Sequence, residues 1–297
     1  MKKRVPPIRV PLIIGLVAVL AFALAACGGN SSGGAATGSA DKGGGTAAAI
    51  TSPTDFSNHI IAVQVATTAA DSIDKMVADG TIKNVDVRRY EKITQCFDDL
   101  KLGRVDAVYV DSVVASYYTK DNTDYQRVWT NSTGEPMGIC LAKGSEKLEA
   151  AIEAAIDTMY YDGTIKGFAN KDFGDDFTAG LRNVTAQPTI PKDFTTITPG
   201  TLTVGLEGGY PPMEYADTDG QTLIGFDIDV ANQIGKLLGL KVTFVNTAWD
   251  GIFAGLGKGQ YDCIISSVSI TPDRQANYLL TKPYVENRLC IVTAAGK

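Results

Sequence analysis

Short apolar runs bounded by turn residues alternate along the chain with segments whose apolar positions recur every three or four residues. The alternation runs over residues 59–174 and resumes over residues 201–293. His59-Ile60-Ile61-Ala62-Val63 predicts a strand, Thr67-Thr68 a turn, and Ala69 to Ala78 a helix stopped at Gly80. Val85-Asp86-Val87 begins a second strand, Thr94 to Leu102 forms a helix closed by Gly103, and Ala107-Val108-Tyr109-Val110 reads as a buried strand ending at Asp111. A helix over Ser112 to Tyr118 and strands over Gln126 to Trp129 and Met137 to Leu141 follow. Ser145 is placed to cap a helix whose residues Leu148, Ile152, Ala155, Ile156 and Met159 share one face, and Gly163 ends it.

Residues 175–200 carry Gln187-Pro188, Ile190-Pro191 and Pro199-Gly200 without periodicity and read as a linker. The second series then predicts a strand over Thr201 to Gly205 and a helix over Gly225 to Leu238 that stops at Gly239. A strand over Val242 to Asn246, a helix over Asp250 to Leu256 and a strand over Asp262 to Ser266 complete it. Alternation of this kind predicts α/β sheets covered by helices, with chemistry gathered where strands end and helices begin.

The first 26 residues depart from this pattern. Lys2, Lys3 and Arg4 precede an apolar run of about 15 residues, too short for the roughly 20 needed to span a bilayer, so the segment reads as an export signal. Gly28 to Ala49 is Gly, Ala, Ser and Thr with little apolar bulk and reads as a flexible tether. Beyond the signal the chain holds 23 basic against 33 acidic residues, which argues against a nucleic-acid partner. Cys96, Cys140, Cys263 and Cys290 allow three pairings, and none has the spacing of a metal site. The one histidine, His59, begins a strand, which leaves no His-dependent hydrolase in view.

The densest cluster of polar chemistry is Ser266-Ser267-Val268-Ser269-Ile270-Thr271-Pro272-Asp273-Arg274. Hydroxyls and free amides follow a strand and open a helix at Thr271-Pro272, an arrangement that favours an anion, with the planar fork of Arg274 suited to a carboxylate. Helix capping by the serines and a surface ion pair for Arg274 would explain the same residues.

Further segments decide between these readings. Leu202 to Glu214, containing Glu207-Gly208-Gly209-Tyr210-Pro211-Pro212, is followed by Gly225-Phe226-Asp227-Ile228-Asp229-Val230-Ala231, then Trp249-Asp250-Gly251-Ile252-Phe253 and the Ser-rich Arg segment. Together they resemble the first lobe of the polar amino-acid-binding solute receptors of ABC importers. Val63-Gln64-Val65-Ala66-Thr67-Thr68, Gly103 to Asp111 and Gly138 to Ser145 resemble the rest of that family, which normally has Gly where Ala66 stands. Leu24-Ala25-Ala26-Cys27 resembles the lipoprotein box, which implies a lipid anchor on Cys27 and a membrane-tethered, extracytoplasmic location.

The resemblance implies a two-lobed, type II periplasmic-binding-protein-like α/β fold whose elements stand in circularly permuted order. It divides the chain into a signal peptide over 1–26, a tether over 27–50, lobe 2 over 51–136 and a hinge strand over 137–144. Closing helices of lobe 1 then occupy 145–174, the permutation linker 175–200 and the rest of lobe 1 201–297. Both termini of the unpermuted family lie on lobe 1, and a linker reaching up to about 80 Å joins them easily. Arg288 to Thr293 becomes a second hinge strand, and Cys140 and Cys290 on the two hinge strands have two readings: a disulfide that replaces the lost covalent tie, or two buried free thiols.

By the same resemblance the ligand is a free amino acid. Arg274 and the Ser269 amide would hold its carboxylate with Thr68, while Asp111 and a backbone carbonyl near Ser267 would hold its ammonium. Thr67 and Gln64 belong to the same site, Tyr210 and Trp249 would wall the side chain, and Glu207 and Ser266 would face its far end. An acid between aromatic faces suits a basic or amide side chain, Arg, Lys, His or Gln, with cystine a further candidate. No cofactor or metal is expected, and the partners expected are the amino acid, an importer permease and, through the lipid, the membrane. A monomer is expected, against a domain-swapped pair. An enzyme on the same fold, a cyclohexadienyl dehydratase or a lytic transglycosylase, would need a general acid facing the cleft, for which Glu207 is the one candidate seen.

Overall fold

A computed structural model describes residues 49–174 and 176–296. The export signal over 1–26, the Cys27 anchor and most of the tether lie outside them. The tether read over 27–50 stops short of Ile50, which is already buried in the apolar cluster around Phe56 and Ile61.

The first series folds as β1 (Ile60–Gln64), α1 (Thr68–Ala78), β2 (Asp86–Tyr90), α2 (Ile93–Lys101), β3 (Ala107–Asp111), α3 (Ser112–Thr119) and β4 (Tyr125–Thr130). The chain then passes through β5 (Cys140–Leu141), α4 (Glu146–Asp162) and α5 (Thr164–Phe173). The second series comprises β6 (Thr201–Leu206), β7 (Gly209–Tyr210), β8 (Glu214–Ala216), β9 (Leu223–Ile224), α6 (Phe226–Leu238) and β10 (Lys241–Asn246). It continues with α7 (Trp249–Gly257), β11 (Cys263–Ile264), α8 (Pro272–Asn277), β12 (Leu279–Leu280) and β13 (Leu289–Ala294). No helix among the described residues is long and apolar enough to cross a membrane.

Two five-stranded sheets share one design. The first has the order β2-β1-β3-β13-β4 and the second β10-β6-β11-β5-β12. In each, the fourth strand runs antiparallel to its neighbours and comes from the other half of the sequence: β13 pairs with β3 and β4, and β5 with β11 and β12. The halves are therefore laced by two crossing segments, residues 131–139 and 281–288, which touch where Met137 pairs with Val285. A small third sheet has the order β7-β8-β9 and packs against α6.

Burial explains the elements. The α4 residues Leu148, Ile152, Ala155, Ile156 and Met159 are all buried, as their spacing predicts. Beneath α7, Trp249, Ile252 and Leu256 close on Tyr261 and Ile264. Each such aliphatic side chain withdrawn from water contributes about 2 kcal/mol before chain entropy is counted.

Several expectations are revised. Residues 289–294, read as part of lobe 1 within 201–297, complete the first sheet, because an antiparallel partner for β3 is supplied there and nowhere nearer in sequence. The hinge strand over 137–144 shortens to Cys140–Leu141 within the second sheet. Ser145 stands at the start of α4, yet its hydroxyl makes no cap bond. All four described cysteines are free and buried, so the Cys140–Cys290 bridge is not formed. Cys140 faces Ile264 and Leu280 in one sheet and Cys290 faces Val110 and Thr130 in the other, so each is enclosed by its own strand neighbours. The linker contains no helix or strand over 176–200, but Arg182 pins it. That side chain, 3% exposed, bonds Glu153 at 2.6 Å, Asp157 at 2.7 Å and the carbonyls of Lys282 and Pro283.

Candidate functional site

A small, partly open pocket lies between the two sheets at the carboxyl ends of their strands. It is lined by all eleven residues expected there: Gln64, Thr67, Thr68 and Asp111 from the first sheet and the turns that follow its strands, and Glu207, Tyr210, Trp249, Ser266, Ser267, Ser269 and Arg274 from the second half. Glu214 also lines it and carried no assigned role in the sequence.

The first-sheet wall is built by two strand ends. After β1 the chain turns at Ala66, whose φ of 57° is the left-handed conformation that glycine takes most easily. This is the position where the family normally has Gly. The Thr67 hydroxyl then caps α1, accepting from the Ala70 N–H at 3.3 Å and donating to the Gln64 carbonyl at 2.8 Å, so it reaches the cavity already engaged. Asp111 ends β3 and is 8% exposed. Its Oδ2 accepts from the Tyr210 hydroxyl at 2.5 Å and its Oδ1 from Asn287 Nδ2 at 2.7 Å. Burial and the repulsion of the nearby Glu135 carboxylate push the pKa of Asp111 up to about 7, against the pull of those two donors.

On the opposite wall, α8 opens as the sequence predicts. Thr271 Oγ1 accepts from the Arg274 N–H at 3.2 Å, and Pro272 occupies the first turn. The guanidinium of Arg274 lies 5.5 Å from the Trp249 ring and 5.2 Å from the Phe253 ring, and its Nη1 donates to the Ser269 carbonyl at 3.0 Å. Among the described residues Arg274 forms no ion pair, and the Ser269 N–H has no hydrogen-bond partner. Burial lowers the pKa of Arg274, with Glu135 and Asp111 opposing that loss from a distance.

A buried acid pair supports the Ser266-Ser267 turn. Ser266 Oγ donates to Glu214 Oε1 at 2.6 Å and accepts from the Glu207 N–H at 3.0 Å. Asp227 accepts from the Ser267 N–H at 2.9 Å and from the Tyr284 hydroxyl at 2.6 Å, and this holds Ser267 at a φ of 52°. Burial and the Asp227 charge keep the Glu214 pKa well above the carboxylate range, while burial lifts Asp227 to about 6. One proton shared by the two carboxyls fits this geometry.

Glu207 faces the remaining end of the cavity. Its Oε2 accepts from Gln64 Nε2 at 3.2 Å, and burial raises its pKa against the opposing influences of Gln64 and Lys92. Trp249 Nε1 donates to the Ala66 carbonyl at 2.9 Å, so Gln64–Glu207, Tyr210–Asp111 and Trp249–Ala66 each bridge the two halves. Glu135, Asn287 and Glu214 escaped the sequence reading. The first two lie on the crossing segments, where no periodicity marks a role, and Glu214 lies within a quoted motif whose contacts are tertiary.

Residues 202–297 match the family model of Bacterial extracellular solute-binding proteins, family 3. The L-cystine-binding protein TcyA of Bacillus subtilis (strain 168) is 43% identical over 94 residues, which are 32% of this chain and 35% of that protein. The ABC transporter arginine-binding protein 1 of Escherichia coli (strain K12) is 34% identical over 91 residues, 31% of this chain and 37% of that one. A solved structure titled Ancestral Cationic Amino Acid Solute Binding Protein shares 47% identity, covering 26% of this chain and 33% of that chain, with a TM-score of 0.25. The chain thus spans about a third of the length of the curated relatives it matches. The matched residues 202–297 carry Glu207, Tyr210, Trp249 and the segment from Ser266 to Arg274, so the second-half wall of the cavity lies within the part of the chain that is similar to bacterial extracellular solute-binding proteins, family 3.

Proposed function

We propose that this protein is an extracytoplasmic receptor that binds a free amino acid with a cationic side chain between its two lobes and delivers it to an ABC importer. One observation carries the reading: the guanidinium of Arg274, which forms no ion pair among the described residues, and the carboxyl of Asp111 line the same pocket, one from α8 and the other from the end of β3. A zwitterion needs both, and a site divided between two lobes is closed by what it binds. The α-carboxylate goes to Arg274 with the Ser269 N–H, and the ammonium to Asp111 with the backbone at Ser267. Glu207 then receives the side-chain cation, flanked by Tyr210 and Trp249.

Curated relatives named for cystine and for arginine support an amino-acid ligand. The choice of a cation rests on Glu207, since a neutral side chain would leave its buried carboxylate without a charge partner. In this reading residues 51–130 and β13 form one lobe, and β5, α4 and α5 with β6 to β12 form the other, in an order permuted relative to the family. Export and a lipid on Cys27 would hold the receptor at the membrane, and a single chain suffices to form the site. An enzymatic reading has less support, because the two acids that could give up a proton are both engaged, Glu207 with Gln64 and Glu214 with Ser266.

Calorimetric titration of the purified protein with each of the twenty amino acids and cystine tests the proposal. Saturable binding confined to arginine, lysine and histidine is expected. Binding of none of them, or turnover of arogenate or a glycan, would overturn it.

A further inference from the structure

Glu135 lies on the first crossing segment and is not among the cavity's lining residues, yet it holds two groups that the ligand's carboxylate would need. Its Oε1 accepts hydrogen bonds of 2.6 Å from both Thr68 Oγ1 and Ser269 Oγ. Thr68 opens α1 on the side of the first sheet, and Ser269 stands just ahead of α8 on the other side. A single carboxylate oxygen thus ties one half of the molecule to the other. Hydrogen bonds of this length to a charged oxygen belong to the strong class.

The backbone around Glu135 is fixed. Its N–H donates to the Asn287 carbonyl at 2.7 Å, and the next carbonyl, that of Pro136, accepts from the Ile270 N–H at 2.9 Å. The side chain can therefore leave only by rotating about its own bonds or by moving with the hinge. Arg274 forms no ion pair with it. Glu135 engages the hydroxyls of the anion site, and its charge favours the Arg274 guanidinium only from a distance.

We propose that Glu135 is an internal carboxylate that competes with the ligand's own, so that amino-acid binding is an exchange at Thr68 and Ser269. This rests on the receptor reading above. The incoming carboxylate pairs with Arg274 and takes the two hydroxyls, while Glu135 swings away. Two consequences follow. The amino-acid-free protein is held partly closed, and the apparent affinity is the intrinsic affinity multiplied by the fraction of molecules in which the clamp is open. A displaced Glu135 also remains close enough to repel acidic ligands, which favours cations.

The test compares the intact protein with Glu135→Gln, which keeps the shape but loses the charge, and with Glu135→Ala. Spin labels at the exposed positions Lys83 and Lys258, each changed to Cys, report the distance between halves without amino acid. A longer, broader distance distribution in both variants, together with arginine binding about tenfold tighter, is expected. An unchanged distance, or equal or weaker affinity in Glu135→Gln, would overturn the proposal. If neither wild type nor variants bind any amino acid, the receptor reading fails and the competition with it. The distances would still show whether Glu135 ties the halves together.

Discussion

Tyr210 donates its hydroxyl proton to Asp111 at 2.5 Å, although the two residues lie 99 positions apart and belong to different sheets. The contact joins the wall that would flank a ligand's side chain to the carboxyl that would receive its ammonium. Asp111 is thereby held in one orientation before any amino acid arrives, with Asn287 fixing its other oxygen. Preorganisation of this kind reduces the ordering cost of binding.

The protonation of Asp111 should make binding depend on acidity. With its pKa near 7 in the free protein, Asp111 is neutral at lower pH, whereas an ammonium requires the charged form. Affinity for arginine should fall by up to about tenfold per pH unit below about 7, with about one proton released on binding at about pH 6. Calorimetry in buffers of different ionisation enthalpy measures both quantities. A flat affinity across this range would contradict the role given to Asp111.

Stability should respond with the opposite sense. Asp111 near 7 and Asp227 near 6 both lie above their ordinary unfolded value, so the folded chain binds more protons between about pH 4 and about 7. Stability of the amino-acid-free protein should therefore fall as pH rises through this window. Asp55 and Asp99, whose hydrogen bonds lower their pKa values, weaken the fold only at more acid pH. Urea midpoints should be higher at about pH 5 than at about pH 7.5, and a rise with pH would refute the assignment.

Arg182 should matter more than a linker residue normally does. Removing it leaves Glu153 and Asp157, 19% and 27% exposed, and two carbonyls without their shared donor. Arg182→Ala should cost about 3 kcal/mol in urea unfolding. A loss below about 0.5 kcal/mol, the scale of an ordinary surface substitution, would mean the linker lies loosely on the fold.

Ala66→Gly should stabilise the protein slightly. Relief of a left-handed conformation worth about 1–2 kcal/mol is partly offset by glycine's greater freedom when unfolded, for a net gain of about 0.5 kcal/mol. Thermal unfolding of the two chains decides the sign.

What could be read from the sequence was local. Asp111 at the end of a strand, Thr271 and Pro272 opening a helix before Arg274, and the buried stripe of α4 all follow from near-neighbour chemistry. The place of β13 was not legible, because a strand's partner is set by sheet pairing across the whole chain. Glu135 and Asn287 were missed for a related reason. Each acts on groups more than 60 residues away, and an isolated acid or amide beside a proline or an arginine carries no spacing that would announce it. Of the two readings of Cys140 and Cys290 the buried free thiols hold, because lying on hinge strands says nothing about which sheet each cysteine joins.

Arginine titrated calorimetrically into wild type, Arg274→Ala and Asp111→Ala tests most directly whether the two halves grip a zwitterion together. Wild type should bind one arginine per chain, and each substitution should weaken binding by at least about thirtyfold, as expected when one partner of a buried charge contact is removed. Both variants binding arginine as tightly as the parent would contradict the proposed site.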